Sequence, residues 1–236
     1  MPLSFQPALL QVSLWLFAGL SMSLAQGAGM VPQTPVLVVE QSLGEAVMNV
    51  RNTDAHPALL YTTVENTESD DEVLLVFTPP VARVEAGQVQ QVRFLLQSAQ
   101  PLQTERLKRV IFEGINPVAA AGGARVSLGV RQNLPVILRP AGLPVEREPW
   151  KRLVWTVTRD GLHVHNPSPY VVRLSKAVTP LPGSSPVELP RTYILPGERL
   201  QLDLPLSSLA QVSSVRIFPA TTYGFAVDDH IAPVTR

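Results

Sequence analysis

Short stretches in which apolar and polar residues alternate make up most of the chain. The longest lies in "ARVSLGVRQNLPVILRP", residues 124–140, where nearly every second residue is apolar: Val126, Leu128, Val130, Leu134, Val136 and Leu138. A period of two is typical of a half-buried β-strand. A strand from Val126 to Leu138 would be about twice the usual five or six residues, so its length itself requires an explanation.

The rest of the chain repeats the pattern in shorter pieces separated by Pro and Gly. Up to residue 140 it predicts about seven strands in roughly 115 residues, which is typical of a β-sandwich. The stretch "RPAGLPVEREPW" is rich in Pro and charge and predicts a linker. A second run of strands begins at Trp150, includes a hairpin whose turn is Asp160-Gly161, and ends in a short tail. We therefore expect an all-β fold of two sandwich domains, with the boundary near residues 141–148.

Composition narrows the class of protein. The 236 residues are enough for one or two domains. The 19 basic residues balance 19 acidic ones, so no basic face for nucleic acid is indicated. The absence of cysteine excludes disulfides, thiol catalysis and Cys-based metal sites.

The N-terminus predicts export. The apolar run "ALLQVSLWLFAGLSMSLA" ends in the small residues Ser23-Leu24-Ala25, which fits a signal peptide over residues 1–25. No Lys or Arg precedes the run, and a membrane anchor is the alternative, although the run is short for a span. We expect the mature chain to comprise domains at residues 26–144 and 145–236, with no further membrane span.

Catalytic and metal-binding patterns are weak. The sequence has no nucleophile elbow, phosphate loop or zinc-helix motif. His163 and His165 share one strand face, but no carboxylate stands at strand spacing, so exposed hairpin residues are favoured over a metal site. The spacing of the acidic run does not fit a calcium loop, and a solvated loop is favoured: Glu65, Glu68, Asp70, Asp71 and Glu72. We predict no enzyme activity and no cofactor.

A cluster of cations precedes the long strand. Arg106, Lys108 and Arg109 lie in "TERLKRVIFEG", and neighbouring residues of a strand point to opposite faces. Lys108 and Arg109 therefore cannot both point outward. Either the strand is an edge defended by charge, or one cation is held inside or in a cleft, ready to bind an anion.

Several motifs together resemble one family. "TPPVARVEAGQ" followed by "VRF", then "LPVILRPAG", and "HVHNPSPYVVRL" in the second half are similar to the PapD-like periplasmic pilus-assembly chaperones. The resemblance covers nearly all of the mature chain. It implies two immunoglobulin-like sandwiches arranged as an L, with a pilus subunit bound in the cleft.

The resemblance also accounts for the long strand. A pilus subunit is a sandwich that lacks its last strand, and a chaperone of this family fills the gap by β-augmentation. Counting back from "ILRP", the residues donated to the subunit would be Val126, Leu128 and Val130. Gly122 and Gly123 fit a flexible segment leading into that strand.

The sequence departs from the family at two places. The best-known branch binds the subunit's C-terminal carboxylate with two basic residues, and the matching positions here are Val36 or Pro35, and Pro135. Some archaic or alternative branches carry a basic residue on the preceding strand instead. Arg109 is therefore the expected anchor, followed by Lys108 or Arg106.

The second departure concerns a charge cluster that fixes the angle between the domains. Glu105 and Arg139 match two members of the family's Glu, Arg and Asp cluster, but the Asp position is Thr222 in "TTYG". A reduced Glu105–Arg139 pair is expected.

The resemblance implies a periplasmic chaperone that binds pilus, fimbrial or spore-coat-like subunits and delivers them to an outer-membrane usher, without catalysis or nucleic-acid binding. The alternative is a secreted structural or adhesive module of two immunoglobulin-like domains. Such a module would not need a long strand with exposed Val126, Leu128 and Val130, so this feature separates the two hypotheses.

Overall fold

The chain folds almost entirely into β-structure. A computed structural model describes residues 29–115, 130–183, 185–205 and 209–236, and these contain 19 strands, numbered here in chain order. The predicted all-β fold is confirmed, and the strands form two sandwiches. The expected signal peptide lies outside the described residues.

The first sandwich consists of nine strands in two sheets. One sheet has the order β1 (Met30–Pro32), β3 (Glu45–Asn52), β7 (Val89–Leu96), β5 (Leu75–Thr78). The other has the order β2 (Leu37–Glu40), β9 (Arg131–Arg139), β8 (Arg106–Ile115), β4 (Ala58–Glu65), β6 (Val81–Val84). Alternate residues of both sheets meet in one apolar core, where the Phe94 and Phe112 rings pack edge to face with centroids 6.4 Å apart.

The predicted long strand lies partly within the described residues. β9 covers Arg131–Arg139, whereas Val126, Leu128 and the glycines that precede them lie outside the described residues. β9 pairs antiparallel with β8 from Arg131 to Leu138 and parallel with β2 from Val136 to Arg139.

The second sandwich contains the remaining strands. Its larger sheet has the order β14 (Val187–Glu188), β13 (Ala177–Leu181), β17 (Ser214–Ile217), β19 (His230–Thr235), β10 (Val154–Val157), β11 (Leu162–His165), β16 (Arg199–Leu202). Its smaller sheet has the order β15 (Tyr193–Ile194), β12 (Val172–Leu174), β18 (Pro219–Ala220). The core between them includes Trp155, Val164, Val172 and Ile217.

The C-terminal residues differ from the sequence expectation. They form β19, which pairs parallel with β10 and antiparallel with β17, whereas the sequence suggested a short tail. Pro233 stands within this strand and weakens its pattern, and one of its two partners, β10, is distant in sequence.

The two sandwiches meet at an apolar contact. Four buried residues form this contact. The first sandwich provides Val36, Leu107 on β8 and Ile137 on β9, and the second sandwich provides Val171. Across the linker, the Tyr170 hydroxyl donates to the Pro144 carbonyl oxygen at 2.9 Å, and the linker ends in a 3₁₀ turn at Pro149–Arg152. Within the described ranges, none of the helical segments has the length and apolar character needed to cross a membrane.

Candidate functional site

One edge of β9 lacks a partner strand over half its length. β2 begins to pair only at Val136. The Gln41 N–H donates to the Arg139 carbonyl oxygen at 2.9 Å, so the backbone of Arg139 faces β2. Because backbone groups alternate sides along a strand, those of Arg131 and Asn133 face the same edge, where the described residues supply no strand to pair with them.

Val130 continues the apolar face of β9 beyond the strand. Leu134, Val136 and Leu138 belong to the core of the first sandwich, and Val130 has the same parity, although Gln132 interrupts the row. Val130 is 38% exposed. It lies next to Gly29, because a Cβ placed on Gly29 would be 3.5 Å from the Val130 Cβ. The apolar row of the core therefore reaches the surface next to the open edge.

Lys108 points into the first sandwich and is not exposed to solvent. It lies on the core-facing side of β8 with Val110 and Phe112, and none of its surface is accessible. Its Nζ lies 2.8 Å from Asp70 Oδ1 and also donates to the carbonyl oxygens of Asp70 at 2.9 Å and Glu72 at 2.7 Å. All three contacts of this buried ammonium are with the loop that follows β4.

Arg106 binds the same loop. Its guanidinium forms two hydrogen bonds with the Asp70 carboxylate and lies 3.2 Å from Glu72 Oε2. Burial alone raises the pKa of Asp70, but hydrogen bonds from Arg106 and Lys108 outweigh it and hold that pKa below its ordinary value of 3.8.

These contacts correct two sequence interpretations. The acidic run is not merely a solvated loop, because the Asp70 side chain is 9% exposed and paired with two cations. Arg106 and Lys108 were alternative carboxylate anchors, but both charges are already neutralised within the first sandwich. Lys108 is buried, and the guanidinium of Arg106 is already bound to Asp70 and Glu72.

The contribution of Asp70 to stability should depend on pH. Because the folded-state pKa of Asp70 lies below 3.8, its stabilisation is present above that pH and lost as the pH falls through the lower folded-state value. In urea denaturation, the difference in unfolding free energy between wild type and Asp70→Asn should therefore shrink below pH 3.8. An unchanged difference from about pH 7 to about pH 3 would contradict the pairing.

Arg109 faces the cleft between the sandwiches. It stands directly opposite Pro135 in the β8–β9 register and shares a face with Leu107. Its guanidinium donates to Asn133 Oδ1 at 2.6 Å and to the Asn133 carbonyl oxygen at 2.9 Å. It forms no ion pair with any described carboxylate, because Glu65, which stands opposite Arg109 on β4, pairs with Arg131 instead.

The positions of the usual anchor are apolar, as the sequence indicated. Val36 is 2% exposed and belongs to the interdomain contact, and Pro135 is buried in β9. Pro135 also has no N–H to offer the open edge. The Arg109 guanidinium, beside Pro135, is the nearest cation in this register.

A buried ion cluster joins the two sandwiches. Glu105 is 3% exposed, its Oε1 accepts from Arg139 Nε at 3.1 Å, and its Oε2 accepts from the Val171 N–H at 2.9 Å. The Arg139 guanidinium also lies 2.9 Å from Glu40 Oε1. Burial raises the pKa of Glu105, and the hydrogen bonds from Val171 and Arg139 offset this only in part.

The cluster is larger than the expected pair. Glu40 on β2 provides a second carboxylate for Arg139, while Thr222, at the position of the family's Asp, makes a different contact. Its carbonyl oxygen accepts from Arg173 Nη1 at 3.1 Å. Neither Glu40 nor Arg173 was identified from the sequence, because neither stands out from the alternating pattern of its strand.

The "NPSPY" motif positions the Val171 N–H, which is the contribution of the second sandwich to the ion cluster. Asn166 is fully buried, and its Nδ2 donates to the carbonyl oxygens of Tyr170 at 2.8 Å and Ile194 at 3.2 Å. Its Oδ1 accepts from the Ser168 N–H at 3.1 Å. The loop held in this way presents the Val171 N–H to Glu105.

The two histidines lie on the outer surface of the second sandwich. His163 and His165 are on β11, and His163 Nε2 lies 2.9 Å from Thr158 Oγ1. Within the described ranges, His, Asp and Glu residues form no group of three that could hold a metal ion.

The cleft and the open edge together suit an extended peptide. The backbone of Arg131 and Asn133 can pair with an added strand, the apolar row ending at Val130 can enter a neighbouring groove, and Arg109 can bind a carboxylate. No described side chains form a comparable site for chemistry.

Comparison with known families covers both sandwiches. The family model described as "Pili and flagellar-assembly chaperone, PapD N-terminal domain" matches residues 29–144, and "Pili assembly chaperone PapD, C-terminal domain" matches residues 148–230. The fimbrial chaperone YhcA of Escherichia coli (strain K12) is 47% identical over 204 residues, which cover 86% of this chain and 89% of YhcA.

Solved structures show the same two-domain fold. A chain from the Salmonella enterica complex of SafA pilin with the SafB chaperone superimposes with a TM-score of 0.71 and 20% identity, covering 88% of this chain and 97% of that chain. The E. coli chaperone DraB has a TM-score of 0.70 and 22% identity, covering 87% and 98% respectively.

Proposed function

The chain belongs to the PapD-like family of pilus-assembly chaperones, and from this premise we propose that it binds pilus or fimbrial subunits by donating a β-strand. Membership rests on the two family models and on YhcA. In the solved complex with similar architecture, the SafB chaperone is bound to a pilin. The proposal assigns the chain no catalytic step.

The open edge of β9 is the observation that carries the proposal. A subunit strand added there would pair with the backbone groups of Arg131 and Asn133 that face this edge. The donated side chains would be Val126, Leu128 and Val130, which share the parity of Leu134 and Val136 in the core. They would extend the apolar core of the first sandwich into the subunit.

Arg109 is the proposed anchor for the subunit's C-terminal carboxylate. Its guanidinium forms no ion pair within the described residues, it faces the cleft, and it lies beside the open edge. Arg106 and Lys108 are less favoured for this role, because both already bind Asp70. An arginine can bind a carboxylate through two parallel hydrogen bonds.

Charges on the donated strand should abolish subunit binding. In a Val126→Asp, Leu128→Asp, Val130→Asp variant, three carboxylates would have to enter apolar pockets, and the lost burial alone is worth about 5 kcal/mol. Co-purification from periplasm with a co-expressed subunit from a neighbouring pilus gene should recover a complex with wild type and none with the variant.

A matched control places the same charges elsewhere. Leu43, Val145 and Ile231 are exposed apolar residues away from the open edge, at 72%, 71% and 50% exposure. Their triple Asp variant should bind the subunit as wild type does. Equal recovery with all three proteins would refute strand donation and favour the structural or adhesive module.

Loss of the anchor should weaken the complex without abolishing it. Arg109→Ala removes a charged hydrogen bond worth about 1.5–3 kcal/mol, so the affinity for the subunit should fall at least about tenfold. In the same co-purification with the subunit limiting, unchanged recovery would exclude Arg109 as the anchor while leaving strand donation intact.

The remaining steps follow from the family and belong to the same proposal. The mature protein would act in the periplasm, keep subunits from aggregating, and deliver them to an outer-membrane usher. Genes for an usher and small pilins beside this gene would support this role.

A further inference from the structure

Arg173 lies in the wall of the cleft formed by the second sandwich. It is the central residue of β12, between Val172 and Leu174, which are both buried in the core of that sandwich. Because side chains alternate between the two faces of a strand, Arg173 points away from that core, on the same side as Val171. Val171 and Leu107 both belong to the interdomain contact.

Arg109 and Arg173 both lie close to the apolar contact, one on each sandwich. Each lies two residues beyond a member of the apolar contact, Arg109 beyond Leu107 and Arg173 beyond Val171, and two residues of strand span about 6.6 Å. Burial, and after it the charge of Arg109, lowers the pKa of Arg173. The two cations are therefore within electrostatic reach of each other.

The Arg173 guanidinium is held in position. Its Nη1 donates to the Thr222 carbonyl oxygen at 3.1 Å. Gly224, with φ of +85°, leaves room for this guanidinium, since a Cβ on Gly224 would lie 2.9 Å from Arg173 Nη1. No described carboxylate forms an ion pair with Arg173, and Glu198 in the same sandwich is paired with Arg191.

We propose that Arg173 joins Arg109 in binding the C-terminal carboxylate of the subunit, so that the anchor spans both sandwiches. Two like charges on facing walls repel each other, and a shared anion relieves that repulsion. Two guanidinium groups can also offer donors to both carboxylate oxygens. This inference rests on the proposed function and adds a contact from the second sandwich to it.

A competition experiment tests the role of Arg173. Wild type and a variant with a different tag are expressed in one periplasm with a limiting amount of a subunit from a neighbouring pilus gene. Arg173→Ala should capture about tenfold less subunit than wild type, as expected for one lost charged hydrogen bond. Arg173→Lys, which keeps the charge, should recover part of the difference.

The control is Arg199→Ala, an exposed arginine on β16 of the same sandwich, which should compete equally with wild type. Equal capture by Arg173→Ala and wild type would overturn the proposal. So would equally weak capture by the Ala and Lys variants together with a lower unfolding temperature in both, because that result indicates a structural role. If wild type itself captures no subunit, the proposed function fails as well.

Discussion

Replacing Asp70 with asparagine is expected to lower the free energy of unfolding by about 3–5 kcal/mol, because the change leaves a buried charge without its partner. The Lys108 ammonium has no accessible surface and lies 2.8 Å from Asp70 Oδ1. Its two carbonyl contacts remain in the variant, but they carry no full charge. Urea denaturation at about pH 7 measures the loss.

Two further variants separate this cause from general damage to the loop. Glu72→Gln changes an exposed carboxylate that contacts Arg106, and a pair of this kind is worth less than about 1 kcal/mol. The double variant Asp70→Asn, Lys108→Met removes the buried charge and should regain most of the lost stability. A loss below about 1 kcal/mol for Asp70→Asn, or no recovery in the double variant, would contradict the account.

Removing Arg139 is expected to cost about 3 kcal/mol, because Glu105 then remains buried without a cation. Its remaining described partner is the Val171 N–H. Because Arg139 lowers the pKa of Glu105, its loss raises that pKa further, and a raised carboxyl pKa makes the folded state less stable as the pH rises.

The loss for Arg139→Ala should therefore be smaller at about pH 5 than at about pH 8, as measured by urea denaturation. Arg131→Ala is the matched control, since Arg131 and Glu65 form an exposed pair, and it should cost less than about 1 kcal/mol. A small, pH-independent loss in Arg139→Ala would show that the ion cluster does not hold the sandwiches together.

The fold could be predicted largely because the alternation of apolar and polar residues along a strand shows directly which side chains are buried. The cores of both sandwiches consist of the alternating apolar residues that the sequence displays, such as Val136 and Leu138 on β9 or Leu162 and Val164 on β11. β19 was missed because Pro233 disturbs its pattern and its pairing depends on β10, far away in sequence.

The candidate site could be predicted only in part. Strand geometry shows that the adjacent side chains of Lys108 and Arg109 point to opposite faces of the sheet, but it does not show which of the two is buried. Lys108 is the inward one because Asp70, which lies 38 residues earlier, neutralises it. In the same way, Glu40 reaches Arg139 across 99 residues. Contacts at such separations leave no local signal in a single sequence.

Amide hydrogen exchange at the open edge of β9 tests strand donation most directly. In the free protein, Arg131 and Asn133 should exchange rapidly, whereas Gln132 and Leu134, which face β8, should be protected. Binding a subunit should slow Arg131 and Asn133 by about tenfold or more and leave the other two nearly unchanged. Equal exchange of Arg131 and Asn133 in the free protein and in the complex would contradict the account.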